Sequence, residues 1–271
     1  MSVLDVVSGP AVGARGVIAR ANPVAKLAVA AAVALALVLT VDVVTAGTAL
    51  LLEALALPWC GVPPSRLLRL GWPVLAAAVP AAVATALLGV DSGPVLLTLG
   101  PLTVTAGSAR AALAIGLRIL AIGLPGVVLL ATTDPTDLAD ALAQVLRLPH
   151  RFVLSALAAM RLVGLLAEEW RALGLARRAR GLGDGGWLGR GRTLFGQVFA
   201  LLVLAIRRAT VLATAMESRG FGVATRRTWA RPSRFAARDA AVALGGVLIA
   251  VTATAAGVLA GTWHLVLLST G

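Results

Sequence analysis

Charge is scarce in this chain: Asp, Glu, Lys and Arg make up only 13% of its 271 residues, 59% are hydrophobic, and the mean hydropathy is +0.94. A soluble domain carries about 25% charged and about 45–50% apolar residues, so the shortage excludes that class and marks an integral membrane protein. Cysteine is nearly missing. Cys60 stands alone, which excludes an intramolecular disulfide and a cysteine-based metal site. Lysine is equally rare: Lys26 is the only one, and with no G-x-x-x-x-G-K-[ST] present the chain does not itself hold ATP in a phosphate-binding loop. Histidine is limited to His150 and His264, isolated on segments assigned to opposite sides of the bilayer, which argues against a shared metal or base. Acidic residues are too dispersed for a phosphotransferase of the CDP-alcohol type, which needs several clustered aspartates where Asp184-Gly185 stands alone. Residues 1–22 lack an apolar core ahead of a small-residue site, so no cleavable signal is expected.

What is present is arginine and long apolar runs. The net charge of +12 rests on arginine apart from Lys26. In a chain this apolar, anionic lipid and protein partners come before nucleic acid. Val24 to Leu39 and Val43 to Leu57 read as a helical hairpin turning at Thr40-Val41-Asp42, each slightly short of the ~20 residues of a full span. Pro58 to Pro73, with Arg66 and Arg69, should close that hairpin. A third span is expected from about Pro73 to Val90 with a kink at Pro80, and a fourth from about Arg110 to Ala131 carrying Arg118. Arg118 has two readings there, a functional intramembrane charge or a residue snorkelling at a helix end. A fifth span falls within Arg238 to Leu268, interrupted by Gly245-Gly246, Gly257 and Gly261; a sixth hidden there would reverse the side of the C-terminus. The chain is thus expected to be an all-α membrane protein with about four spans in 1–131, a less apolar block in 132–235, and a C-terminal span in 236–271. Arginine and lysine counted by loop put the N-terminus and the block in the cytosol and, with five spans, the C-terminus outside.

Within the block, Thr133-Asp134-Pro135-Thr136-Asp137 is a helix start: a carboxylate cap at Asp134, proline at the first helical position, and Asp137 near the positive dipole end. Capping explains Asp134 and Asp137 without a metal, and Asp140 drifts around the helix. That helix should end near Leu148-Pro149. His150 to Arg180 and Thr193 to Arg219 then follow as long helical patterns of about 46 Å and about 40 Å. The first has Arg161 and Glu168 in one angular position and Arg171 and Arg178 nearby; the second has Arg207, Thr210, Thr214 and Glu217 down one side. Glu168-Glu169 should pair locally with Arg171 or Arg161. Charges recur too often for either helix to read as a span. Helices this apolar need cover from headgroups, each other or a partner. Gly181 to Gly186 formally matches G-x-G-x-x-G, but it follows a helix and lacks the later acidic residue of a dinucleotide site.

Both helical patterns close on nearly the same sequence, Leu175-Ala-Arg-Arg-Ala-Arg-Gly-Leu-Gly183 and Thr214-Ala-Met-Glu-Ser-Arg-Gly-Phe-Gly222. In each, an arginine (Arg180, Arg219) sits between small residues (Ala179 and Gly181; Ser218 and Gly220), so a fixed charge is presented with little steric cover. A plain helix stop would explain part of this, with glycine at the left-handed position and Leu182 or Phe221 as its apolar contact. Capping does not dictate the shared alanine, Ala176 and Ala215, and two copies suggest two equivalent docking points.

With Asn22-Pro-Val-Ala-Lys26 before the first span and Thr132 to Asp140 after the fourth, these paired motifs make the chain resemble the transmembrane (T) component of energy-coupling-factor (ECF) importers, the family that includes the cobalt and biotin versions. The Asn-Pro pair replaces the more usual Asp-Pro. The resemblance implies an L-shaped helical protein whose coupling helices end in Ala179-Arg180-Gly181 and Ser218-Arg219-Gly220, supported by Leu182, Glu217 and Phe221, each docked in one of two ATP-binding-cassette ATPase subunits. It also implies a separate small substrate-binding membrane subunit, the S component, taking up a vitamin or metal ion. On this reading the chain is not an enzyme and binds no cofactor, ATP and magnesium residing on the ATPases, and its other partner is membrane lipid. Two rivals differ in kind. One is a scaffold whose basic helices bind anionic lipid. The other is a self-contained carrier, for which only Arg118, Asp42 and Glu53 are available.

Overall fold

Asn22 begins the first helix by accepting the amide of Val24 on its carboxamide oxygen at 3.0 Å, with Pro23 already at the first helical position. In the computed structural model, which describes residues 16–89, 92–99, 102–181, 186–221, 229 and 231–262, this helix, α1, runs Pro23–Val38. Asp42 caps the next, α2 (Val43–Ala56), accepting the Thr45 amide at 3.1 and 3.2 Å, so the turn falls at Thr40-Val41-Asp42 as the sequence suggests. A 3₁₀ turn, Leu57–Cys60, then closes on Gly61 at φ +63°.

The third helix departs from expectation. α3 (Pro64–Leu88) starts well before Pro73, because Pro64 needs no amide partner at a helix start, and Arg66 and Arg69 therefore lie in its first turns instead of in a loop. Pro73 and Pro80 are both accommodated inside it. The stretch after it contains an antiparallel hairpin, β1 (Val95–Leu99) with β2 (Leu102–Thr105), pairing Thr98 with Thr103 and shifting register between Val95 and Leu97. β2 runs straight into α4 (Ala106–Thr132), where Thr105 and Ser108 cap each other's amides at 3.0 and 3.2 Å.

Four more helices follow: α5 (Pro135–Gln144), α6 (His150–Ala179), α7 (Trp187–Ser218) and α8 (Ala237–Leu259). Asp134 accepts the Thr136 amide at 2.7 Å at the start of α5, as expected. α5 ends sooner than Leu148, and Arg147 adopts φ +53° in the turn that follows. α8 runs unbroken through Gly245, Gly246 and Gly257, and Gly261 at φ +66° lies just past its end. His264 and the remainder of the expected C-terminal span lie outside the described residues.

The chain divides into two compact units, one including Leu142–Pro232 and the other including Pro10–Ala141 and Ser233–Gly271. In the second, α1, α2, α4 and α8 meet around Val33, Leu37, Ala46, Ala49, Ala121 and Ala253. Apart from Val33 and Leu37, the residues facing inward are small, while Leu35, Leu51, Leu55, Leu113, Leu244 and Leu248 face out. That inversion is the signature of helices packed in lipid, where large apolar side chains lose nothing by facing the solvent and small ones let backbones approach. Gly246 shows the approach directly: a Cβ there would stand 2.6 Å from Val29 Cγ2 and 2.8 Å from its Cα. Gly257 is tighter still, meeting the Thr45 hydroxyl and Asp42 Oδ2.

In the first unit, α6 and α7 run antiparallel. Gln197 of α7 donates to the Trp170 carbonyl at 2.7 Å, Arg177 of α6 donates to the Thr193 carbonyl at 2.7 Å, and Arg208 forms an ion pair with Glu169. Glu169 therefore reaches across to the neighbouring helix, correcting the expectation of a purely local pair.

Among the described residues five helical stretches are long and apolar enough to cross a membrane: Val43–Cys60, Pro64–Leu88, Ala106–Thr132, Gly191–Ser218 and Ala237–Leu259. α1 is shorter, at 16 residues. Gly191–Ser218 joins this set because no charge falls between Arg192 and Arg207, a gap that the arginines flanking it had obscured.

Candidate functional site

The two arginine motifs stop their helices in the same way. Arg180 has φ −89° and ψ 9°, its amide reaches the carbonyls of Arg177 and Arg178, and Gly181 follows at φ +71° with its amide on Arg178 O at 3.0 Å. Arg219 has φ −90° and ψ 11°, its amide reaches Met216 and Glu217, and Gly220 follows at φ +77° with its amide on Glu217 O at 2.9 Å. Phe221 then donates to Met216 O at 3.0 Å, which completes a Schellman cap in the second copy. Leu182, its counterpart in the first copy, lies outside the described residues.

These caps leave both guanidinium groups on show. Ala179, Arg180, Gly181, Ser218, Arg219 and Gly220 are all exposed, as is Glu217, while Phe221 is half-buried. Among the described residues neither Arg180 nor Arg219 forms an ion pair. Their separation follows from the helix contacts. Arg177 touches Thr193, so Arg180 lies beside the start of α7, whereas Arg219 closes its other end. At about 1.5 Å per residue, the stretch from Thr193 to Arg219 spans roughly 40 Å.

A second set of polar contacts was not read from the sequence as a group. Lys26, 4% exposed, donates from Nζ to Thr132 Oγ1 at 2.9 Å, Ala19 O at 3.0 Å, Thr133 Oγ1 at 3.1 Å and Thr132 O at 3.2 Å. One turn earlier, Asn22 donates from its amide to Asp239 Oδ1 at 2.8 Å, and from Nδ2 to Ser233 Oγ at 3.0 Å and Arg234 O at 3.3 Å. Asp239 is 1% exposed and its other oxygen accepts the Ala236 amide at 2.7 Å, capping α8. The one available sequence signal was a lone lysine at the start of α1 and a lone carboxylate at the start of α8. The opposite end of the bundle is tied as well, Thr262 donating to Asp42 Oδ2 at 2.8 Å.

Arg118 resolves into a structural contact. Its Nη2 donates to the Val38 carbonyl at 3.0 Å, satisfying the last turn of α1. Glu53 is buried, and among the described residues neither carboxylate oxygen has a hydrogen-bond partner.

A lipid-facing bundle of Ala- and Gly-seamed helices with several apolar stretches of membrane length defines a multi-pass helical membrane protein, here carrying a pair of long helices with exposed arginines at their ends. Comparison narrows this class. The model of the cobalt transport protein family (CbiQ) matches residues 14–229. Proteins named energy-coupling factor transporter transmembrane protein EcfT are similar: that of Leuconostoc gelidum is 34% identical over 144 residues, 50% of this chain and 54% of the relative. The Exiguobacterium sibiricum protein is 32% identical over 177 residues, 60% and 67% respectively, and the Brevibacillus brevis protein 33% over 168 residues, 59% and 63%. The chain thus matches from about half to two thirds of the length of these relatives. It belongs to this family, that of ECF transporter transmembrane components.

Proposed function

We propose that this chain is the coupling subunit of an ECF-type importer, passing the motion of two ATPase subunits to a separate substrate-binding membrane subunit for uptake of a vitamin or metal ion. The observation that carries this is the matched pair of exposed arginine tips. A guanidinium with small neighbours can enter a groove and pair bidentately with a carboxylate or carbonyl. Tips roughly 40 Å apart along a helix of this rise are too far apart to share one groove, so they call for two sockets. On this reading ATP binding and hydrolysis on the partners close and reopen the ATPase pair. α6 and α7, anchored one per ATPase, then shift against each other and repack their apolar faces on the substrate-binding subunit. The chain itself performs no hydrolysis.

Arg180→Glu with Arg219→Glu should abolish co-purification with the ATPases, since losing one buried charge contact costs on the order of 2–5 kcal/mol. Intact complexes with normal uptake would overturn the assignment. Moving each arginine by one residue separates docking from lipid attraction: a groove rejects the shifted charge, whereas an anionic membrane surface tolerates it.

A further inference from the structure

We infer that the turn Asn22–Lys26 is the fulcrum of the coupling stroke: it holds both points at which the chain leaves and re-enters the membrane bundle. This rests on the reading above of the block 132–235 as the moving part. The chain leaves α4 at Thr132-Thr133, and the Lys26 ammonium grips both residues. It returns at Ser233 to Asp239, and Asn22 grips Ser233, Arg234 and Asp239. Asn22 caps α1 and Lys26 lies one turn into it, so two segments about a hundred residues apart in sequence are fastened to a single turn. A further tie joins the two arms just beyond these roots, Gln144 Nε2 donating to the Arg231 carbonyl at 2.8 Å.

The chemistry of the grip argues for a mechanical role. An ammonium buried among neutral oxygens, with no carboxylate in hydrogen-bond contact among the described residues, is a costly way to join helices that apolar side chains would hold as well. What it provides is direction. Three N–H donors are shared among four acceptors, one at Ala19 and three on Thr132 and Thr133, so the root of the block is held from several directions and neither slides nor rotates on α1. A lever whose root slides would waste the displacement applied at its tips.

Asn22 is also not exchangeable with its acidic counterpart. Aspartate at this position would lose both Nδ2 bonds, to Ser233 and Arg234, and set a second carboxylate beside buried Asp239. Lys26 and Asn22 are positioning residues and touch no substrate.

The test uses the whole complex in proteoliposomes, with substrate uptake and ATP hydrolysis measured together. Lys26→Met should leave assembly and hydrolysis intact and lower uptake per ATP by about fivefold or more, the scale of a typical coupling free energy. Unchanged uptake per ATP would overturn the inference. Should this variant fail to assemble, the converse experiment decides: Asn22→Cys with Ser233→Cys in a Cys60→Ala background, bridged by a short bifunctional thiol reagent. A fulcrum needs no movement between these residues, so bridging should preserve or raise uptake relative to the reduced form. Uptake blocked by bridging would show that the root must open, and the inference would fall.

Failure here is distinguishable from failure of the proposed function. Amide hydrogen exchange at 132–137 and 235–240 reports the grip in the isolated chain, without ATPases, and Lys26→Met should speed it at 132–137, the root that Lys26 holds, more than at 235–240, which Asn22 holds. Faster exchange with unchanged coupling removes the fulcrum and leaves the docking tips standing. A wild-type chain that captures no ATPase removes the function itself.

Discussion

A backbone in the left-handed region just past a helix suits glycine and strains nearly every other residue, and Gly181 and Gly220 occupy it at φ +71° and +77°. The glycines thus set where each arginine stands. Gly220→Ala should strain the cap by about 1–2 kcal/mol and fray the last turn of α7. The Phe221 amide, bonded to Met216 O, should then lose about tenfold in exchange protection, with weaker ATPase capture alongside. Retained protection would show that the cap does not depend on glycine. At this scale the duplicated motif was fully legible, because a helix stop is local chemistry. Arg118 was not, since both of its readings suited the same sequence and only the approach of Val38, 80 positions away, chose between them. Lys26 was visible as a lone lysine in a short motif, yet all its partners but Ala19 lie 106 and 107 positions further on.

Helices whose ends are marked by local caps were read well, and those ended by context were not. Asn22, Asp42 and Asp134 announce α1, α2 and α5, and each side chain caps as its residue type suggests. α3 was misjudged because Pro63-Pro64 reads equally as a loop or as the start of a helix, and the hairpin at Val95–Thr105 because two short strands flush against a span leave no distinctive pattern. The glycines of α8 looked like interruptions and are contact points. Gly246→Leu should drive a side chain into Val29 on α1 and cost about 1–3 kcal/mol or more, as overpacking does where the opposing atom is backbone. Thermal unfolding in detergent should show the loss, whereas Gly245→Leu, where a Cβ meets nothing within 4 Å, should behave like the wild type. Equal stability of the two variants would remove the close seam between α1 and α8.

For the molecule as a whole, arginine is distributed unevenly along the chain, and that count gives the expected side of each loop. Cys60 is buried and is the only thiol, so substituted cysteines report without background once it is replaced by alanine. In sealed vesicles of known orientation, Arg147→Cys should react with an impermeant maleimide from the expected cytosolic side, and Ser92→Cys from the opposite side. Reaction of both from one side would break the proposed topology. The mean hydropathy made membrane residence legible at once, but not which five stretches would have spanning length. Gly191–Ser218 qualifies on composition while ending in the same motif as α6, a conflict between two sequence signals that periodicity alone does not settle.

The backbone angles of the two tips agree to within a few degrees, −89° and 9° at Arg180 against −90° and 11° at Arg219. As plugs they have one shape, and a pair of identical motors would accept either. The residue two places before each arginine breaks that equivalence by sign, Arg178 in one copy and Glu217 in the other. If the tips dock as proposed, a single charge in each socket would be enough to key which motor takes which end, shape supplying the fit and polarity the address.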